Sequence, residues 1–195
     1  MQSWSRLIAS DLGQAAKKAY QSDPARAYHN WDHVLRLFWH AEHTFALAYD
    51  ADLDMAILAH DVIYDAAPQK EQRSAQWLRD HAAGNADKAV ELILKTIEHR
   101  PSEDNRMVLL DLADLALQDR AGPNLDRIRY ESEALYDVNA QQFLTANIKI
   151  MTGLHDRISE GMGQPMPDAD RNWFERILSG ISQSNDLARQ QLQSA

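Results

Sequence analysis

Apolar residues recur at three- and four-residue intervals through most of the chain, a period that predicts amphipathic α-helices. The first helix spans about Ser5 to Tyr20 and stops near Gln21-Ser22-Asp23-Pro24. A long second helix runs from about Asn30 to Tyr49, where Asp50-Ala51-Asp52 breaks it. A third begins near Leu53 and carries Ile57, Leu58 and His60-Asp61. Asp65-Ala66-Ala67-Pro68 reads as a loop, because a proline biases the residue before it away from helix. Further helices fit 69–82, 86–98 and 103–118, with Asn85 and Ser102 suited to N-capping after the breaks at Gly84 and Pro101. Beyond Gly122-Pro123 a helical stretch reaches about Ile158, a Gly/Pro loop fills 161–167, and a last helix covers about 168–191. Convincing strand patterns are missing and glycine is scarce. The expected fold class is therefore all-α. A single domain over 1–195 is expected, with a motif-bearing core at about 24–136 and C-terminal helices over 137–195.

Composition narrows the function classes. The 45% hydrophobic and 25% charged content is that of an ordinary globular chain. A net charge of −9 argues against broad electrostatic binding to duplex nucleic acid or an anionic membrane. It leaves room for a small phosphorylated substrate, because a bound dication reverses the local field. With no cysteine, disulfides and thiolate metal sites are ruled out, and a reducing, cytoplasmic setting is expected. No signal peptide and no membrane-spanning stretch is read. Exposed helical surfaces suit a homodimer.

The candidate chemistry lies in a His, then a His-Asp, then a distant Asp. His33, His60-Asp61 and the acidic pair Asp111 and Asp114 are side-chain types that hold divalent metals. The flanks of His60-Asp61 are apolar, so two adjacent ionisable groups there are costly to bury unless paired or metal-bound. Adjacent helical residues project about 100° apart, so both reach one ion only if it sits close to the backbone. An ordinary helix-end ion pair is the rival reading of the dipeptide alone. His29 stands four residues before His33 and suits a second ligand, a phosphate contact or a packing residue. His40 and His43 lie about 10–15 Å further along the helix, too far to share that metal, and read as a solvated or partner-facing edge. Trp31, Phe38, Trp39 and Phe45 read as packing residues.

These segments together resemble the HD superfamily of metal-dependent phosphohydrolases, and within it a bacterial and phage family of predicted HD phosphohydrolases. The resemblance rests on 26–33 (Arg-Ala-Tyr-His-Asn-Trp-Asp-His), 59–65 (Ala-His-Asp-Val-Ile-Tyr-Asp), 71–75, 96–99, 109–116 and, more faintly, 128–131. It implies a helical fold, a bound divalent cation (Mn, Fe, Co, Ni, Zn or Mg) and hydrolysis of a phosphate ester or anhydride of a nucleotide or similar small molecule by metal-activated water. It makes His33, His60 and Asp61 ligands. The family's Asp-x-Asp-Leu-Ala is one residue longer here. Matching from the Leu-Ala side therefore selects Asp114, the favoured fourth ligand, and matching from the Leu-Leu side selects Asp111.

Phosphoryl transfer also needs cationic donors and an oriented water. Arg26 and His29 are the first candidates for phosphate contact, with Lys70, Arg73 and His99 supplementary. Glu71 or Asp65 is expected to act as general base, although Glu71 also suits the first turn of a helix. Tyr64 suits either a substrate contact or a packed core position. Thr96 and His99 suit contact with phosphate or a second metal, or ordinary helix packing.

Overall fold

The helical period folds into ten α-helices among the described residues, 3–117 and 120–194 of the computed structural model, and no strand occurs among them. The protein is all-α, as its periodicity requires. The helices group into two compact units, Met1–Ile97 and Glu98–Ala195. This boundary lies inside the span expected to carry the motifs.

The first unit holds α1 (Ser3–Ala9), α2 (Asp11–Tyr20), α3 (Trp31–Trp39), α4 (Ala51–Ala59), α5 (Lys70–His81) and α6 (Asp87–Leu94). The expected first helix is split. Ser10 leaves the helical region and its hydroxyl accepts from Gly13 N–H, capping α2. A Cβ at Gly13 would collide with the backbone of Leu7 and Ile8, so the corner between α1 and α2 needs glycine. The expected second helix also changes character. After Trp39 it widens into a π-turn, His40–Thr44, in which Phe45 N–H bonds His40 C=O, and it ends there. His40 is buried, with Nδ1 2.8 Å from Thr44 Oγ1, while His43 lies exposed and stacked on Trp39. The expected solvated edge is therefore His43 alone. Trp31 and Phe38 are core; Trp39 is 44% exposed.

The central helix of this unit is α4. Asp50 caps it by accepting from Asp52 and Leu53 N–H, and Leu53, Ala56, Ile57, Leu58 and Ala59 are all buried. A helix apolar on every side must be covered on every side. Helices α1, α2, α3, α5 and α6 pack against it. Its C-terminus brings His60-Asp61 into the interior.

The second unit holds α7 (Arg106–Ala116), α8 (Ala121–Tyr136), α9 (Ala140–Gly161) and α10 (Asp168–Ser194). Gln118, the expected end of α7, lies outside the described residues. Asn105 rather than Ser102 stands at the N-cap of α7 and accepts from Ser102 N–H. The long stretch expected to reach Ile158 is interrupted at Asp137, which is left-handed with φ 52°, and α9 restarts with a capping box between Asn139 and Gln142. Leu125, Phe143, Leu144 and Ala188 form a core between α8, α9 and α10. Gly180 of α10 meets the backbone of Ala116. No helix among the described residues is long and apolar enough to cross a membrane.

Two substitutions test this packing. Gly180→Ala places a Cβ on the Ala116 carbonyl and is expected to destabilise by about 1–3 kcal/mol. Gly153→Ala, whose Cβ meets only the end of Arg157, should be neutral or gain up to about 1 kcal/mol from helix propensity. Urea denaturation of both variants measures the contrast, and equal effects would contradict the close approach of α7 and α10.

A second test concerns Asp54, which burial, with Asp50 and Glu42 adding repulsion, pushes up to about 6. A carboxyl raised in the folded state favours folding below its unfolded value of 3.8, and that contribution is lost as pH rises through about 6. Asp54→Asn should therefore be more stable than the parent at pH 7–8, by on the order of 2–3 kcal/mol, with the difference shrinking below pH 4. Melting curves across that range give the answer.

Candidate metal centre

His33 reaches the interior through a loop and a cap. Asn30 has extended backbone; its Oδ1 accepts from His33 N–H at 3.1 Å and its Nδ2 donates to Ala27 C=O. Such a cap contributes about 1 kcal/mol and sets His33 in the first turn of α3. His29 precedes that helix, so the two histidines do not stand one above the other on its surface. Their ring centroids are 6.1 Å apart, and His29 instead stacks on Tyr64 at 3.9 Å.

His60 and Asp61 follow the last residue of α4. His60 keeps helical dihedrals and its N–H bonds Ala56 C=O, so the helical course carries through His60. His60 Nε2 lies 3.2 Å from Asp61 Oδ2 and 3.1 Å from His33 Nε2, with His33 Nε2 4.0 Å from the same carboxylate oxygen. His33 is fully buried, His60 is 1% exposed and Asp61 is 8% exposed.

The orientation of the His60 ring follows from its other nitrogen. Nδ1 lies 3.0 Å from Ile57 C=O, which only accepts, so Nδ1 carries a proton and Nε2 is the atom turned toward His33 and Asp61. This carbonyl-to-imidazole bond is the outer support that metal-ligating histidines usually have. At 3.1 Å one imidazole donates to the other, or a cation takes the place of the shared proton. His33 and His60 meet the distance requirement for sharing one metal ion, and the donor set of two imidazoles and a carboxylate fits a divalent cation of the Zn, Mn, Fe, Co or Ni type.

Several expected site residues are already committed to structure. Arg26 is 6% exposed, and its guanidinium donates to the carbonyls of His29, Asp61 and Val62. Arg73 makes a bidentate pair with Asp65 at 2.6 and 2.9 Å and also donates to the carbonyls of Pro68 and Ala67. Arg73 and the Ala67 N–H hold the Asp65 carboxyl down to about 2. The pair braces the loop between Tyr64 and α5. Glu71 occupies the first turn of α5, half-buried. Tyr64 is half-buried, with His29 stacked on its ring and Lys70 Nζ 3.9 Å from the ring centroid. Thr96 is buried and its hydroxyl donates to Ile93 C=O within the helix end.

The second unit treats its two expected ligands differently. Asp111 is partly exposed and its Oδ2 lies 2.7 Å from His99 Nε2; His99 itself is left-handed with φ 52°. Asp114 is fully buried and its Oδ1 meets Arg120 at 3.1 Å.

Sequence reasoning missed two contributors. Tyr20 OH accepts from Asp61 N–H at 3.2 Å, and Ser74 Oγ bridges Ile63 N–H and C=O. Both are long-range in sequence, so no local pattern marks them.

The Asp65–Arg73 brace predicts coupling. Asp65→Asn and Arg73→Gln should each loosen residues 65–69 to hydrogen exchange. The double variant should be no worse than the poorer single one, with a coupling of no more than about 1 kcal/mol at this exposed pair. Additive effects would show that the two side chains act separately. No family model, curated protein or solved structure matches this chain.

Proposed function

We propose that this protein is a metal-dependent phosphohydrolase that cleaves a nucleotide or a similar small phosphate. The observation that carries the reading is the buried convergence of His33 Nε2, His60 Nε2 and Asp61 Oδ2, with the His60 ring oriented by Ile57 C=O at Nδ1. A bound divalent cation supplies charge neutralisation at phosphate and a more acidic water. The sequence order nominates a fourth ligand from Asp111 and Asp114. The carboxylate chemistry favours Asp111, because Asp114 is inaccessible and already faces a guanidinium.

The remaining residues divide the work. Lys70 and His29 bring positive charge and donors to the phosphate. Tyr64 offers an aromatic ring to a base. Glu71 takes the proton of the attacking water, since Asp65 is held by Arg73. Arg73 and His99 act through the loop and the carboxylate they hold. The net charge of −9 argues against duplex nucleic acid as substrate.

The test is metal analysis of the purified protein, followed by a screen of Mn, Co, Zn, Ni, Fe and Mg with nucleotides and a generic phosphodiester. Divalent-dependent hydrolysis is expected. His60→Ala should lose metal affinity by at least about 100-fold, more than the loss of an outer partner costs. Hydrolysis that persists unchanged in His60→Ala, or protein that stays inert after metal reconstitution, would reject the reading. Nucleotide binding without product release would instead select a sensing role for the same centre.

A further inference from the structure

We infer that Arg26 and Tyr20 are positioning residues that set the affinity and geometry of the metal centre by gripping the backbone of Asp61. The inference rests on the reading that His33, His60 and Asp61 bind a cation. It replaces the expectation that Arg26 contacts phosphate.

The geometry begins with a conflict. Adjacent helical residues point about 100° apart, so His60 and Asp61 reach one ion only where it sits close to the backbone, and that backbone must be held. His60 keeps helical dihedrals and its N–H bonds Ala56 C=O, whereas the Asp61 N–H turns to a partner outside the helix. Both polar groups of Asp61 are held from outside the segment: its N–H by Tyr20 OH at 3.2 Å, its C=O by Arg26 Nη2. The same guanidinium reaches Val62 C=O at 3.3 Å and His29 C=O at 2.6 Å. It also lies over the Tyr20 ring, 4.6 Å from its centroid, so the two gripping side chains brace each other. One cation thereby links the loop before α3, which leads to His33, to the turn after α4, which carries His60 and Asp61. Its charge faces the carbonyl end of α4, where a cation is favoured. A lysine keeps that charge but lacks the planar fork that reaches three carbonyls.

Cobalt(II) titration of the full chain tests the inference through two readouts other than turnover: affinity by calorimetry and the visible absorption band, which reports ligand geometry. The expected result is that Arg26→Lys and Tyr20→Phe each weaken cobalt binding by about 10–100-fold, the range for outer partners of metal ligands, and alter the band. Ser74→Ala serves as control. It removes buried hydrogen bonds to Ile63 in the same segment without touching Asp61, so it should cost stability while leaving affinity and band near the parent values. If Arg26→Lys does not fold, Tyr20→Phe, which removes a single hydroxyl, decides. Parent-like affinity and band in Tyr20→Phe would overturn the inference, as would a loss in Ser74→Ala equal to that in Arg26→Lys. A parent protein that takes up no cobalt would instead overturn the metal-centre reading.

Discussion

Burying two imidazoles and a carboxylate at the end of an apolar helix is the constraint around which the first unit is arranged. Such groups are costly to desolvate unless each finds a partner. The side chains partner one another, with Ile57 C=O on His60 Nδ1 and both His33 and Asp61 Oδ2 on His60 Nε2, while Tyr20 and Arg26 hold the backbone N–H and C=O of Asp61. Helix α4 is apolar on every side because it runs through the middle of the unit, and that same burial is what brings its polar terminus inside. Core packing and candidate chemistry are here one problem.

The segment after the His-Asp pair shows how a short loop is made rigid without regular structure. Arg73 reaches back from α5 to Asp65, Ala67 and Pro68, while Ser74, one residue on, ties Ile63. Tyr64, between these anchors, is held by His29 and Lys70. The result leaves a half-buried aromatic ring close in sequence to the ligand pair.

Much of this was legible in the sequence. Helical period and the Asp-Pro and Gly-Pro breaks were enough for an all-α fold, whereas the metal-ligand reading of His33, His60 and Asp61 drew on the family resemblance. Helix boundaries were less legible. Ser10 and Asp137 interrupt helices that periodicity alone carries through, because a cap and one left-handed residue cost too little to disturb the apolar pattern. His40 looked surface-bound, yet the π-turn shifts it into the interior with Thr44 as partner. Local hydropathy does not register a change in helical winding.

Asp111 and Asp114 show the same limit. Three residues apart on α7, they are equivalent by spacing, but one carboxylate meets His99 and remains partly exposed while the other is sealed with Arg120. Arg26 is a sharper case. A cation beside a candidate site suggests a phosphate contact, and only the fold turns its guanidinium onto three carbonyls. The sequence by itself determined residue types and their period, hence the fold class and the kind of ligand on offer. Tertiary structure decided which side chains were committed, because hydrogen-bond partners tens of residues apart, such as Tyr20 and Asp61, are set by packing and leave no trace in local order.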